Sequence, residues 1–159
     1  MVIFTDGSAY PNPGPGGFGV VIYEDYNEKK IVDCYAEKEE ETTNNRMELK
    51  AIIYALKHYG VNINNDDFAA IPIVYSDSSY AINSFLSWRL SWEMNGWKRP
   101  GGKEVENLDL IQEYTNLFNQ GWRIDLRKIK GHFGIEGNEL ADALASGKKK
   151  VEDILKENE

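Results

Sequence analysis

The sequence predicts a mixed α/β domain, with one mixed sheet and helices packed on it. Three observations carry this. Three apolar, β-branched runs follow one another at the N-terminus with polar turns between them. A strongly periodic helical stretch begins at "TTNN". Beyond it, strand-like and helical segments alternate to the C-terminus.

Val2–Thr5 reads as the first strand. "GGFGVVIYED" and "KKIVDCYAE" read as the next two, joined by the polar turn "DYNEKK". "EKEEETT" is a charged connector. Thr43, Asn44 and Asn45 are helix-capping types, and the spacing of Leu49, Ile52, Ile53 and Leu56 predicts a helix to about Tyr59. "GVNINNDD" is a loop. Ile71–Tyr75, wholly apolar, predicts a strand buried on both faces. Ser79–Leu86 reads as a helix. "SWRLSWEMNGWKRPGGK" then carries three of the four tryptophans before a Pro-Gly-Gly break. Asn107–Asn119 reads as a helix with Leu108, Ile111 and Leu117 on its apolar side and Gly121 at its end. Trp122–Ile129 alternates like a half-buried strand, "KGHFGIEGN" is a loop, and Glu139–Leu155 reads as a closing helix.

Composition bounds the function. The 159 residues suit one domain, with a charged C-terminal tail over 146–159. Apolar content of 42% with 28% charged residues reads as soluble and globular. No run of about 18 apolar residues predicts a membrane span. Met1 leads directly into the first strand, with no signal-peptide pattern. The single cysteine, Cys34, excludes an intrachain disulfide and a multi-cysteine zinc site, and fits a reducing, cytoplasmic setting. A net charge of -8 by itself argues against nucleic acid, because duplex affinity comes largely from Lys and Arg on phosphates. The charge is uneven, however. Residues 1–70 hold 12 acids and 6 bases, whereas 88–103 hold Arg89, Lys98, Arg99 and Lys103 against Glu93 alone. A basic patch on an acidic protein is therefore expected there.

Two of the predicted strands end in aspartate, at Asp6 and Asp77. If they are parallel neighbours, both carboxylates leave the same end of the sheet, where ligands of open α/β sheets bind. Glu48 falls in the first turn of the helix after "TTNN", and Asp142 lies among small and apolar residues in "NELADALA". Each acid also has an ordinary explanation. Aspartate forms turns at strand ends, Glu48 completes a capping box begun by Asn45, and Asp142 is an acid near a helix N-terminus. Those explanations fail together only if the four converge. Converged, they make an all-oxygen site that suits Mg²⁺ or Mn²⁺ and not Zn²⁺. Two such ions about 4 Å apart form the clamp used for phosphodiester cleavage.

"TDGS…NPGPGGFG", "TTNNRMELKA", "YSDSSY", "GWK" and "KGHFGIEGNELADALA" occur in this order, and in them the chain resembles cellular type-1 ribonuclease H from Val2 to about Ser146. The resemblance implies a ribonuclease H-like fold with a five-stranded mixed sheet. It implies that Asp6, Glu48, Asp77 and Asp142 hold two Mg²⁺ ions, with Mn²⁺ as a substitute. The implied reaction is endonucleolytic cleavage of the RNA strand of RNA/DNA hybrids, leaving 5′-phosphate and 3′-hydroxyl ends. His132 matches a mobile proton-carrying histidine. Asn12, Asn44 and Asn45 match residues that bond the hybrid in its minor groove, where amides reach 2′-hydroxyls. Thr43 and Asn107 match a pocket for a DNA-strand phosphate. Trp88, Trp92 and Trp97 match an aromatic handle beside the DNA strand, with Trp97 also readable as purely structural. His58 lies in no motif and is assigned no role.

There are departures. Glu39–Glu41 precede "TTNN" where many relatives have a basic residue, Glu93 and Met94 replace handle lysines, and Ser79 replaces a glutamine. With no hybrid-binding domain, the catalytic domain is expected to hold its substrate alone, as a monomer. The competing readings are another nuclease or strand-transfer enzyme of the same fold, and a non-catalytic nucleic-acid-binding module. The two long motifs speak against the first and the four intact acids against the second.

Overall fold

The computed structural model describes residues 1–65, 70–130 and 135–158. Strand β1 (Val2–Ala9) runs antiparallel to β2 (Gly14–Asp25), which pairs antiparallel with β3 (Lys30–Thr42). Helix α1 (Asn44–Tyr59) follows, then the two-residue β4 (Val61–Asn62) and β5 (Ile73–Ser76). A helical run comprises α2 (Ser79–Asn83), a π-helical stretch (Ser84–Trp88) and α3 (Arg89–Met94). Helix α4 (Leu108–Asn119), β6 (Trp122–Arg123), β7 (Asp125–Lys128), α5 (Glu136–Ser146) and α6 (Val151–Glu157) complete the order. The main sheet has five strands in the order β3-β2-β1-β5-β7, with β1, β5 and β7 parallel. The mixed five-stranded sheet with helices on both faces is the fold the sequence predicts.

The period of two along β1 divides the core. Ile3 packs with Phe18, Val20 and Ile22 of β2 against α1 on one face. Phe4 packs with Val21 and Tyr23 under α5 and α6 on the other. Among the described residues no helix is long and apolar enough to cross a membrane.

Several elements differ from the sequence reading, each for a tertiary reason. β1 continues to Ala9, because its ladder with β2 runs on through Asp6↔Gly19 to Ala9↔Gly16. The charged connector "EKEEETT" is largely strand, since β3 is a sheet edge and needs apolar contact on one side only. Part of "GVNINNDD" is β4, paired to β6 in a separate two-stranded sheet. That pairing also splits Trp122–Ile129, whose first part joins β4 and whose second part joins β5. The strand expected over Ile71–Tyr75 spans Ile73–Ser76, and Ile71 is exposed. The helix expected over Ser79–Leu86 continues to Met94, through the π-helical stretch. The closing helix is two helices, because Gly147 adopts a left-handed conformation at φ 79° and ends α5.

Candidate active site

The parallel ladder between β1 and β5 ends at Phe4↔Tyr75. β5 ends one residue later, while β1 continues with only β2 beside it. The step leaves an opening beyond the end of β5. Asp77 is the residue that follows β5, as expected. Asp6 is not at a strand end: it lies inside β1, two residues past the parallel ladder. It faces the opening because its parallel neighbour stops short.

Helix α1 begins where the capping residues predicted, with the Thr43 hydroxyl accepting from the Arg46 N–H at 3.1 Å. This puts Glu48 beyond the first turn, not in it, and its side chain is buried rather than closing a capping box. α1 can approach β1 because Gly7 has no side chain. A β-carbon there would lie 2.3 Å from the Met47 backbone carbon. The same approach lets the Gly7 N–H donate to Glu48 Oε1 at 2.7 Å. The Ser76 hydroxyl donates to the other oxygen, Oε2, at 3.3 Å.

Asp142 arrives by a similar route on the opposite face. A β-carbon on Gly19, the ladder partner of Asp6, would lie 2.5 Å from the Ala141 carbonyl oxygen. With glycine there, α5 settles onto β2 and brings half-buried Asp142 to the Asp6 side, where it adds to the rise of the Asp6 carboxyl; it is not among the three acids whose oxygens lie within 4.8 Å of one another. It sits mid-helix, seven residues into α5, and not near the helix N-terminus as one sequence reading had it.

Asp6, Glu48 and Asp77 can each offer a carboxylate oxygen within 4.8 Å of the others. Asp6 and Glu48 are each 6% exposed. Burial raises Asp6 far above the ordinary carboxylate range, and Glu48, Asp77 and Asp142 add to the rise. Glu48 is raised as well, first by burial and also by Asp77, while hydrogen bonds from Asp6, Gly7 and Ser76 pull it back. Burial and the neighbouring carboxylates thus both work against the fully charged form of Asp6 and Glu48. A cluster of hard oxygen donors whose charges are mutually unfavourable fits Mg²⁺ or Mn²⁺.

The substrate-binding candidates form a second region beside the acids. Asn12, Thr43, Asn45 and Asn107 line one groove, together with Pro13 and Glu106. Asn44 lies inward: its Oδ1 accepts from the Ala9 N–H at 2.6 Å, and its own N–H donates to Asn12 Oδ1 at 3.0 Å. Asn107 adopts a left-handed conformation, φ 56°, and its Nδ2 donates to the Tyr80 hydroxyl at 2.9 Å. Tyr80 continues into an adjoining cleft with Trp88, Trp92, Arg99, Pro100 and Glu106. Trp88 is 41% exposed, and its ring centroid lies 5.9 Å from that of Trp92. Trp97 is half-buried against the α1-side core.

The expected basic patch loses one member. Arg89 is 5% exposed, donates from Nε to the Phe85 carbonyl at 2.7 Å, and lies over the Phe118 ring. It serves the core; Lys98, Arg99 and Lys103 remain outside. His132 falls outside the described residues. His58 packs against Tyr54 with ring centroids 4.2 Å apart and planes tilted by 33°. Sequence reading passed over Gly7, Ser76, Arg46 and Tyr80. Arg46 pairs with Asp109 through two bonds of 3.0 and 2.8 Å, tying α1 to α4 beside the groove. Gly7 and Ser76 adjoin Asp6 and Asp77 in the motifs, and that adjacency was the available signal.

A family model described as RNase H matches residues 1–150. Ribonuclease H of Wolbachia pipientis wMel is 39% identical over 148 residues, covering 91% of this chain and 92% of its own. Ribonuclease H of Mannheimia succiniciproducens is 43% identical over 143 residues, covering 90% and 83%. Among solved structures, LC9-RNase H1, a type 1 RNase H with the type 2 active-site motif, aligns with a TM-score of 0.68 at 28% identity, over 94% of this chain and 74% of that one. Since the family match and the relatives both span most of its length, the chain belongs to the ribonuclease H family.

Proposed function

We propose that this ribonuclease H-family enzyme hydrolyses the RNA strand of RNA/DNA hybrids endonucleolytically, with two divalent ions held by Asp6, Glu48, Asp77 and Asp142, and leaves 5′-phosphate and 3′-hydroxyl ends. The observation that carries the reading is the convergence of Asp6, Glu48 and Asp77 within 4.8 Å in the opening beyond β5. Bound Mg²⁺ or Mn²⁺ supplies Lewis-acid activation of the attacking water and the leaving oxygen. The protein's part is to hold the oxygens. Gly7 and Ser76 fix both oxygens of Glu48, and the β1–β5 ladder sets the spacing of Asp6 and Asp77.

Asn12, Asn44 and Asn45 bind the minor groove, where 2′-hydroxyls mark the RNA strand. Thr43 and Asn107 take a DNA-strand phosphate, and Trp88 and Trp92 pack beside the DNA strand. The continuity of the two clefts through Tyr80 and Glu106 supports this path. His132 carries protons to and from the reaction. The enzyme acts as a monomer, in the cytoplasm, and this catalytic domain makes the contacts to the hybrid described above.

The test compares an RNA/DNA hybrid, duplex RNA and duplex DNA, each with Mg²⁺ and with chelator. Cleavage of the RNA strand of the hybrid alone, and only with metal, is the expected result. Equal cleavage of duplex DNA, or full activity in chelator, would overturn the reading.

A further inference from the structure

Ser76 is the last residue of β5 and is 0% exposed. Its backbone is locked into the sheet, paired with Lys128 of β7 and accepting from the Ile129 N–H at 2.9 Å. Its side chain has two partners. Oγ accepts from the Ser78 N–H at 3.2 Å, a bond that spans Asp77. A hydroxyl has one proton, and with Oγ accepting from Ser78 that proton is directed to Glu48 Oε2, 3.3 Å away. Ser78 in turn caps α2, its Oγ accepting from the Ala81 N–H at 3.0 Å. One buried hydroxyl thus touches the carboxylate of Glu48 and braces the backbone turn that carries Asp77.

We propose that Ser76 is a positioning residue that sets the orientation of Glu48 and Asp77 toward the divalent ions. The role rests on the proposed metal-dependent reading of those acids. Gly7 holds Oε1 from the β1 side and Ser76 holds Oε2 from the β5 side, so the carboxylate plane is clamped between two strands. Each oxygen keeps lone-pair capacity for an ion. Without the hydroxyl, Oε2 loses a donor in a buried setting, and of the two strands only β1, through the Gly7 N–H, still orients the carboxylate. Outer partners of this kind typically change metal affinity or activity by about 10–100-fold.

The experiment measures Mn²⁺ affinity of the protein without nucleic acid, by electron paramagnetic resonance titration. It also measures kcat and KM on the hybrid, with circular dichroism as the check on folding. Ser76→Ala removes the hydroxyl. Ser76→Thr keeps it, and Ser76→Val matches the volume of Thr without it. The expected order is wild type and Thr together, with Ala and Val about 10-fold or more weaker for Mn²⁺. Hybrid KM is unchanged and kcat is reduced in the same two variants. Wild-type Mn²⁺ affinity in Ser76→Ala, or a Thr variant no better than Val, would assign Ser76 to packing alone. If the two larger side chains prevent folding, Ser76→Ala decides by itself. A wild type that binds no Mn²⁺ would instead overturn the metal reading, and this role with it.

Discussion

At Gly7 a β-carbon would lie 2.3 Å from the backbone of Met47, whereas at Gly96, Gly101 and Gly102 it would meet nothing within 4 Å. The same residue type serves opposite ends in the two halves of the proposed substrate-facing surface. Around the acids, glycine removes volume so that α1 and α5 close onto β1 and β2. In the protrusion after α3 it supplies left-handed turns at φ 67–86° in open space. The site end is buried, and Glu48 is held by hydrogen bonds from two strands. The handle end is half-exposed aromatic rings on short helices, with Met94 87% exposed. Clustered like charges demand fixed positions, because their energy changes steeply with distance. Stacking and phosphate attraction tolerate looser placement, so the handle accommodates Glu93 and Met94 while the acidic end keeps all four carboxylates.

The largest effect is expected at the acidic end. Asp77→Asn weakens the hold on the proposed ions, whose Lewis-acid effect is worth several kcal/mol of transition-state stabilisation, and turnover on the hybrid falls by about 10³-fold or more. The fold survives, since a like charge leaves a repelling cluster. Near-native turnover would break the contrast drawn between the two ends.

Next in size is the paired glycine comparison. Gly7→Ala drives a methyl into backbone and costs about 3 kcal/mol, the upper range for overpacking, with cleavage lost as Glu48 is displaced. Gly101→Ala meets only backbone strain of about 1–2 kcal/mol, and its effect on the hybrid appears in KM. Chemical denaturation of both variants checks the order, and an equal loss of stability would erase the distinction.

The pH dependence of stability sharpens the account of the acids. Asp6 and Glu48 are raised from ordinary values of 3.8 and 4.5. An acid raised in the folded state contributes its full stability below its unfolded pKa, and that contribution declines as pH rises toward the folded value. In chelator, Asp6→Asn should match the wild type in thermal midpoint near pH 3.5, apart from a constant offset. It should gain on it progressively from about pH 4 to neutrality. A difference independent of pH would mean that Asp6 is not strained by burial.

The smallest effect is expected at the handle. Glu93→Lys with Met94→Lys adds cations beside Trp92. KM for the hybrid should fall a few-fold at low salt, with kcat unchanged, as for uniform binding. The salt dependence should steepen by about 0.7–0.9 log units for each phosphate reached. An unchanged KM would place the hybrid backbone away from α3.

Much of this was legible in the residues. The period of two in the N-terminal runs and the period of 3.6 after Thr43 are local properties of a chain that must bury one face, so strands and helices could be read from spacing. The four acids Asp6, Glu48, Asp77 and Asp142 were legible as a set through the resemblance of their motifs to a known family, since local spacing left each with an ordinary explanation. The basic count over 88–103 was legible too, yet misleading, because only packing reveals that Arg89 turns inward over Phe118.

By itself, then, the sequence determined most of the segments that become strands or helices, and which residue types the site contains. Tertiary structure alone decided how those residues face one another. Asp6 opens onto the site because β5 stops short of it, a property of two strands separated by about 70 residues and not of either one. Glu48 is clamped because Gly7 and Ser76, from neighbouring strands, reach its two oxygens. Asp142 arrives because Gly19 lets α5 descend. Local periodicity reports burial and not partners, since hydrogen bonds between distant segments leave no regular trace in spacing.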